Sequence, residues 1–209
     1  MRNKPLVLLA AAGAAGLALV IGNDALAKYE EPAYRVDRKE GNFEIRSYPS
    51  VIAAELEVSG LGESSANSAF KILAGYIFGK NVSKTKIAMT VPVTEKLNAE
   101  KIAMTVPVTT AVDNESMIMR FFMPSKYSLE TLPEPLDKRI LLHRLPPRKF
   151  AVIRFSGFSS NENCRRHEEQ LKKWLKNQNL EAAGDALRAF YNPPWTLPFM
   201  RRNEIWIPL

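Results

Sequence analysis

The chain has 209 residues, 46% of them hydrophobic and 24% charged, a make-up that excludes disordered and fibrous classes. One cysteine and two histidines, His143 and His167, exclude an internal disulfide and a cysteine-rich metal site. The net charge of +7 is dispersed: its densest runs are Arg165-Arg166, Lys172-Lys173 and Arg201-Arg202, with no five-residue basic block, which is the pattern of a solvated surface rather than a nucleic-acid footprint.

Arg2 and Lys4 precede an apolar run from Leu6 to Ile21, and Ala25-Leu26-Ala27 follows it. This is the charged region, apolar region and small-residue cleavage site of a secretory signal peptide. The run of 16 residues is shorter than the ~20 a spanning helix needs. Residues 1–27 therefore read as a signal peptide and 28–209 as one mature domain with no membrane span after cleavage, at a periplasmic address. An uncleaved N-terminal anchor is the alternative. A lone Cys164 suits an oxidising compartment.

Tyr34–Asp37 and Phe43–Arg46 alternate apolar and polar residues at period two around Lys39-Glu40-Gly41-Asn42, a hairpin signal. Val51–Val58 continues as a third strand. Ser64 or Ser65 then caps a helix that runs to about Phe78, with Gly79 as its stop. Ala66, Phe70, Leu73 and Ile77 share one face of it, flanked by Ala69, Ile72 and Tyr76 on one side and Ala74 and Phe78 on the other. So wide an apolar arc, roughly 240° against the ~100° of an ordinary surface helix, implies burial on two sides or a flank that lines a ligand pocket.

Lys86–Thr94 then recurs, residue for residue, as Lys101–Thr109. Two copies of so short a unit do not make a solenoid. Each is strand-like, with its proline confined to an edge or bulge, so one copy is expected in the sheet and the other laid over it. Further strands are expected at Met117–Met123, Ile140–Leu145, Phe150–Phe155, Gly184–Tyr191 and Glu204–Ile207. A second helix over Ser160–Asn177 buries Cys164, His167, Leu171, Trp174 and Leu175. Strands, helix, strands thus occurs twice, which predicts two related halves in one α+β domain.

The chain lacks C-x2-C, H-E-x-x-H, G-x-S-x-G and glycine-rich phosphate loops, so it offers no standard metal, hydrolase or nucleotide constellation. Cys164 and His167 stand at i and i+3, either as ligands or a catalytic pair, or as a buried thiol beside a satisfied imidazole. An apolar helix face makes a thiol inert. Met89, Met104, Met117, Met119, Met123 and Met200 serve either as core filling or as soft contacts and haem ligands.

Residues 101–108 (KIAMTVPV), Phe122-Met123-Pro124-Ser125-Lys126-Tyr127, the run Pro146 to Gly157, and Asn192-Pro193-Pro194-Trp195 with Pro198-Phe199 and Arg201 to Trp206 together resemble the SOUL haem-binding family. The resemblance covers Tyr29 to Leu209 and points to the bacterial exported branch. It implies duplicated strand–helix–strand halves that form a distorted antiparallel β-barrel with two packed helices. It also implies a non-enzymatic carrier or buffer of haem or a related tetrapyrrole, held in a shallow apolar groove beside the first helix. By position, the groove would use Phe70, Lys71, Leu73, Ala74 and Ile77 of the first helix with Phe199, Arg201 and Arg202 of the C-terminal loop. Apolar side chains would meet the porphyrin face, and Lys71, Arg201 and Arg202 its propionates. An iron ligand, where there is one, comes from His143, His167, a methionine or a tyrosine. The alternative is a binding module for another hydrophobic effector or a protein partner, without physiological haem; the sequence leaves the oligomeric state open.

Overall fold

The structure, a computed structural model, describes residues 29–83, 99–112, 115–193 and 195–209. The expected signal peptide and the first copy of the repeat lie outside the described residues. The elements in chain order are β1 (Arg35–Glu40), β2 (Phe43–Tyr48), β3 (Val51–Ser59), α1 (Glu63–Ile77), β4 (Asn81–Val82), β5 (Val108–Val112), β6 (Ser116–Phe122), β7 (Glu134–Pro135), β8 (Leu141–Leu145), β9 (Arg148–Phe155), α2 (Asn161–Asn177), β10 (Leu187–Phe190) and β11 (Asn203–Pro208), with a 3-10 turn at Pro198–Met200.

Nine strands form one antiparallel sheet in the order β1-β2-β9-β11-β10-β5-β6-β3-β8. The sheet curls like part of a barrel and carries both helices on its outer face, the α+β architecture expected. Its symmetry is more specific than the sequence showed. The unit β3-α1-β5-β6 matches β9-α2-β10-β11, and each unit is extended by the strand that precedes the other: β2 pairs with β9, and β8 pairs with β3. The halves meet where β5 and β10 pair, with Thr110 opposite Arg188 at the pseudo-twofold.

Strand alternation divides the apolar residues into three cores. Leu73, Ile77 and Ala69 of α1 pack with Ala54, Leu56, Met117, Met119 and Phe121. Cys164, Leu171, Trp174 and Leu175 of α2 pack with Ala151, Ile153, Ile205 and Ile207. On the inner face, Tyr48, Phe122, Phe150 and Trp206 form an aromatic cluster with ring centroids 4.9–6.4 Å apart. Each fully buried Leu or Ile contributes ~1.5–3 kcal/mol.

The second helix follows the sequence: the Ser160 hydroxyl accepts from the Asn163 N–H at its N-cap, and the basic face is solvated. The first helix departs at its start. Its N-cap is Gly62 with no side-chain cap, not Ser64 or Ser65. Gly60, at φ +84°, turns the chain out of β3 with its N–H on the Glu115 carbonyl. That tight exit starts the helix two or three residues early, and the Ser65 hydroxyl donates back to the Ser59 carbonyl at 3.0 Å instead. Of the second repeat copy, Thr105 bridges to Glu30 and Val108-Thr109 open β5; the role of the first copy lies outside the described residues. β10 starts only at Leu187; before it, the Ala183 N–H is taken by the carbonyl of Pro208, the last residue of β11.

Candidate functional site

The apolar arc of α1 is buried on one face only. Leu73, Ala74 and Ile77 lie in the core beneath the helix, so these three expected groove residues face the sheet and not an open groove. Phe70 is exposed, its ring tilted on Phe121 of β6 with centroids 5.4 Å apart. Lys71 is exposed, and with Ile72 and Tyr76 it borders an open cleft of about 540 Å³.

The opposite wall is Leu136, Asp137, Lys138 and Ile140, with Lys80 at one end. A short second ladder brings it there: β4 pairs with β7, Asn81 opposite Pro135 and Val82 opposite Glu134. The Leu136 N–H donates to the Lys80 carbonyl at 3.2 Å, and the Tyr76 hydroxyl to the Pro133 carbonyl at 2.9 Å. Buried Asn81 fixes the chain as it leaves α1. Its amide donates to the carbonyls of Tyr76 and Glu100, and its oxygen accepts from the Glu100 N–H.

Chemically the cleft has an apolar floor of Ile72, Tyr76 and Ile140 and a rim of three lysines against one carboxylate. Arg139 holds Asp137 by two side-chain hydrogen bonds of 3.0 and 2.7 Å and lowers its pKa to about 2. Lys138 bonds Glu134 at 2.7 Å. Burial and the fields of Tyr127 and Glu100 push the Tyr76 phenol well above its usual range, so it stays neutral. A cleft of this size lies within the ~300–1,000 Å³ of ordinary small-molecule sites.

Phe199, Arg201 and Arg202 sit elsewhere, in the β10–β11 loop. Arg202 is held by Glu204 and Glu31, each at 3.0 Å, and stacks over Tyr191 at 3.7 Å. Arg201 donates to the Thr196 carbonyl, and Phe199 is exposed. Intervening chain connects the two expected groups: the Ile102 N–H bonds the Ile77 carbonyl, Val106 bonds Glu30, and Glu31 pairs with Arg202.

Neither histidine borders the cleft. His143 Nε2 is 3.1 Å from a Glu55 carboxylate oxygen. His167 donates to the Asn163 carbonyl at 2.8 Å and stacks on Phe155 at 3.9 Å. Cys164 is fully buried, and burial raises its thiol pKa. Among the described residues no group of three His, Cys, Asp or Glu side chains is placed to hold a metal ion.

A second, smaller cavity of about 110 Å³ lies on the inner face of the sheet, walled by Tyr48, Phe122, Phe150 and Trp206, with Thr109 and Arg120 among its lining. Beside it is the most polar part of the interior. Glu204, fully buried, accepts from Arg46 at 2.8 and 3.1 Å, Arg202 at 3.0 Å, Tyr191 at 2.8 Å and Trp206 at 2.7 Å. Burial would raise its pKa, but Arg46 and then Arg202 reverse that and hold it below the usual glutamate value.

Of the cleft, only Lys71, Ile72 and Tyr76 could be read from one helix. Lys80, Leu136, Asp137, Lys138 and Ile140 were missed. The usable signal was the Leu132-Pro133-Glu134-Pro135 loop followed by Lys138-Arg139, but nothing local ties that loop to α1.

The SOUL heme-binding protein family model matches residues 29–208. Heme-binding protein 2 of Mus musculus is 26% identical over 176 residues, covering 82% of this chain and 80% of its own; the Homo sapiens protein of that name is 25% identical over 171 residues, covering 80% and 78%. Among solved structures, the EcmrR C-terminal domain superposes with a TM-score of 0.58 at 11% identity, covering 84% of this chain and 97% of that one. A hydrolase from Listeria innocua gives 0.53 at 12% identity, covering 82% and 93%. At such identities these two report the fold alone. The match across the whole described domain, together with the duplicated sheet and its two helices, makes this chain a member of the SOUL heme-binding protein family.

Proposed function

We propose that the protein binds haem or a related tetrapyrrole as cargo, without catalysis, in the cleft on the outer flank of α1. The observation that carries this is the cleft itself: about 540 Å³, an apolar floor of Ile72, Tyr76 and Ile140, and Lys71, Lys80 and Lys138 on the rim. A flat apolar macrocycle with two carboxylates fits that chemistry. Of the groove residues expected from sequence, Lys71 is the one that borders this cleft. Leu73, Ala74 and Ile77 support its wall from beneath. Both histidines are engaged elsewhere and the Tyr76 hydroxyl is spent on Pro133, so binding rests on face burial and propionate pairing, not on an imidazole ligand. The leader supports export and a carrier or buffering role outside the cytoplasm, which fractionation of the producing cell tests.

The test is a titration with hemin read in the Soret band against a competing apolar scavenger. Saturation at one equivalent is expected. Lys71→Glu with Lys138→Glu should weaken binding about tenfold, since each exposed ion pair is worth up to ~1 kcal/mol and reversal replaces attraction by repulsion. Unsaturable binding, or an unchanged affinity in the double variant, would remove the proposal. A hydrophobic-effector reading is favoured by the interior aromatic cavity, which at about 110 Å³ is too small for a tetrapyrrole; saturable binding of a small apolar compound without hemin binding would select it.

A further inference from the structure

The three most exposed large apolar side chains in the described structure, Trp195 at 82%, Phe199 at 73% and Phe158 at 64%, gather with Leu197 on two adjoining loops. The Gly157 N–H donates to the Pro198 carbonyl at 2.8 Å, and the Arg201 guanidinium lies over the Phe158 ring. The loop between β10 and β11 is held in shape by its own backbone: Thr196 N–H to Pro193, Met200 N–H to Leu197, and the Arg202 N–H to the Asn192 side chain at 2.6 Å. These side chains are therefore presented outward by an ordered turn. Clustered exposure of this kind marks an interaction surface.

Two observations say what covers it. The surroundings are basic: Arg166 bonds Asn163, which in turn bonds the Phe158 carbonyl, and Arg201 lies over the Phe158 ring, against Glu162 in the first turn of α2. The chain also enters the fold at this end. Glu31 pairs with Arg202 at 3.0 Å, so the described chain begins beside the root of that loop, and the apolar run Leu6–Ile21 precedes it in the sequence. Aromatic side chains with flanking cations are the chemistry of the lipid–water interface. We propose that the patch formed by Trp195, Leu197, Phe199 and Phe158 seats the domain on an anionic lipid surface, at the end of the molecule where the leader joins it. The proposal stands apart from the tetrapyrrole reading, which uses the opposite half.

Trp195 is its own reporter, because Trp174 and Trp206 are buried. The full-length chain is reconstituted in phosphatidylglycerol or phosphatidylcholine vesicles, with Trp195→Phe as the fluorescence blank. In phosphatidylglycerol, shallow spin-labelled lipid should quench about half of the Trp195 emission, and quenching by aqueous acrylamide should fall about threefold, since an interfacial ring sits at headgroup depth. Phe199→Ser and phosphatidylcholine should each reduce the lipid quenching by about threefold or more. Trp195 left fully open to acrylamide, with no lipid quenching, would overturn the proposal. So would shielding that grows with protein concentration before vesicles are added, which would make the occupant a second copy. Shielding produced by hemin and not by vesicles would also overturn it and give the loop to the tetrapyrrole.

Discussion

Glu204→Gln tests whether the buried ion cluster holds the second half of the sheet together. Glu204 is wholly enclosed and Arg46 is 2% exposed, while five donors converge on the one carboxylate. The amide keeps the shape but removes the charge, leaving the buried Arg46 and the half-buried Arg202 guanidiniums facing a neutral group. Removing one partner of such a pair costs about 3–5 kcal/mol. Here the low end is expected, because Arg46 keeps Glu44 at 2.7 Å and Arg202 keeps Glu31 at 3.0 Å. About 3 kcal/mol in a domain of this size corresponds to a fall in Tm of about 6–12 °C. Urea and thermal unfolding at pH 7 measure it, and a loss under about 1 kcal/mol would refute the reasoning. The pH dependence has a definite sign. Because the folded carboxyl titrates below its ordinary value, the unfolded chain binds the proton more readily. The stabilisation is fully present above the unfolded pKa and is lost as pH falls through the folded one. Wild type and Glu204→Gln should therefore converge in acid; curves that stay parallel would assign the loss to packing.

Thr109 lines the inner cavity at 1% exposure, and its Oγ1 has no hydrogen-bond partner among the described residues; Thr109→Val should stabilise the fold by about 1 kcal/mol in urea unfolding, and a destabilisation would show that the hydroxyl is used. His143→Ala and His167→Ala should each leave hemin affinity within about threefold, under 1 kcal/mol, and a loss above tenfold in either would reveal iron ligation. Buried Cys164 should react with an aromatic disulfide reagent at least about a hundredfold more slowly in the native protein than in urea; rapid native reaction would contradict its placement under α2.

Periodicity made the two halves legible. The alternation in β2 and β3, the stripe Cys164-Leu171-Trp174-Leu175 of α2 and the repeated order of strands and helices all report which side chains avoid water, and that is a local property of the chain. The same information misplaced the cap of α1, because a positive-φ glycine and a bond to Glu115 across the sheet decide where that helix begins. The family resemblance carried Leu73, Ala74 and Ile77 over as groove residues, and periodicity could not correct that, since an apolar helical face looks the same whether it meets a ligand or a sheet. The exchange of β2 and β8 between the halves depends on pairings 86 to 110 residues apart, and no local pattern encodes it. The cleft is of the same kind: Lys71 and Lys138 share a rim only because β4 pairs with β7 and Tyr76 reaches Pro133. The amino-acid sequence determined family, fold class and the identity of the core faces, which follow from burial preferences along each element. Tertiary structure alone decided which apolar flank stayed open, which cations gathered around it, and that the chain enters the fold beside its most exposed aromatic loop, because these depend on long-range closure rather than on local preference.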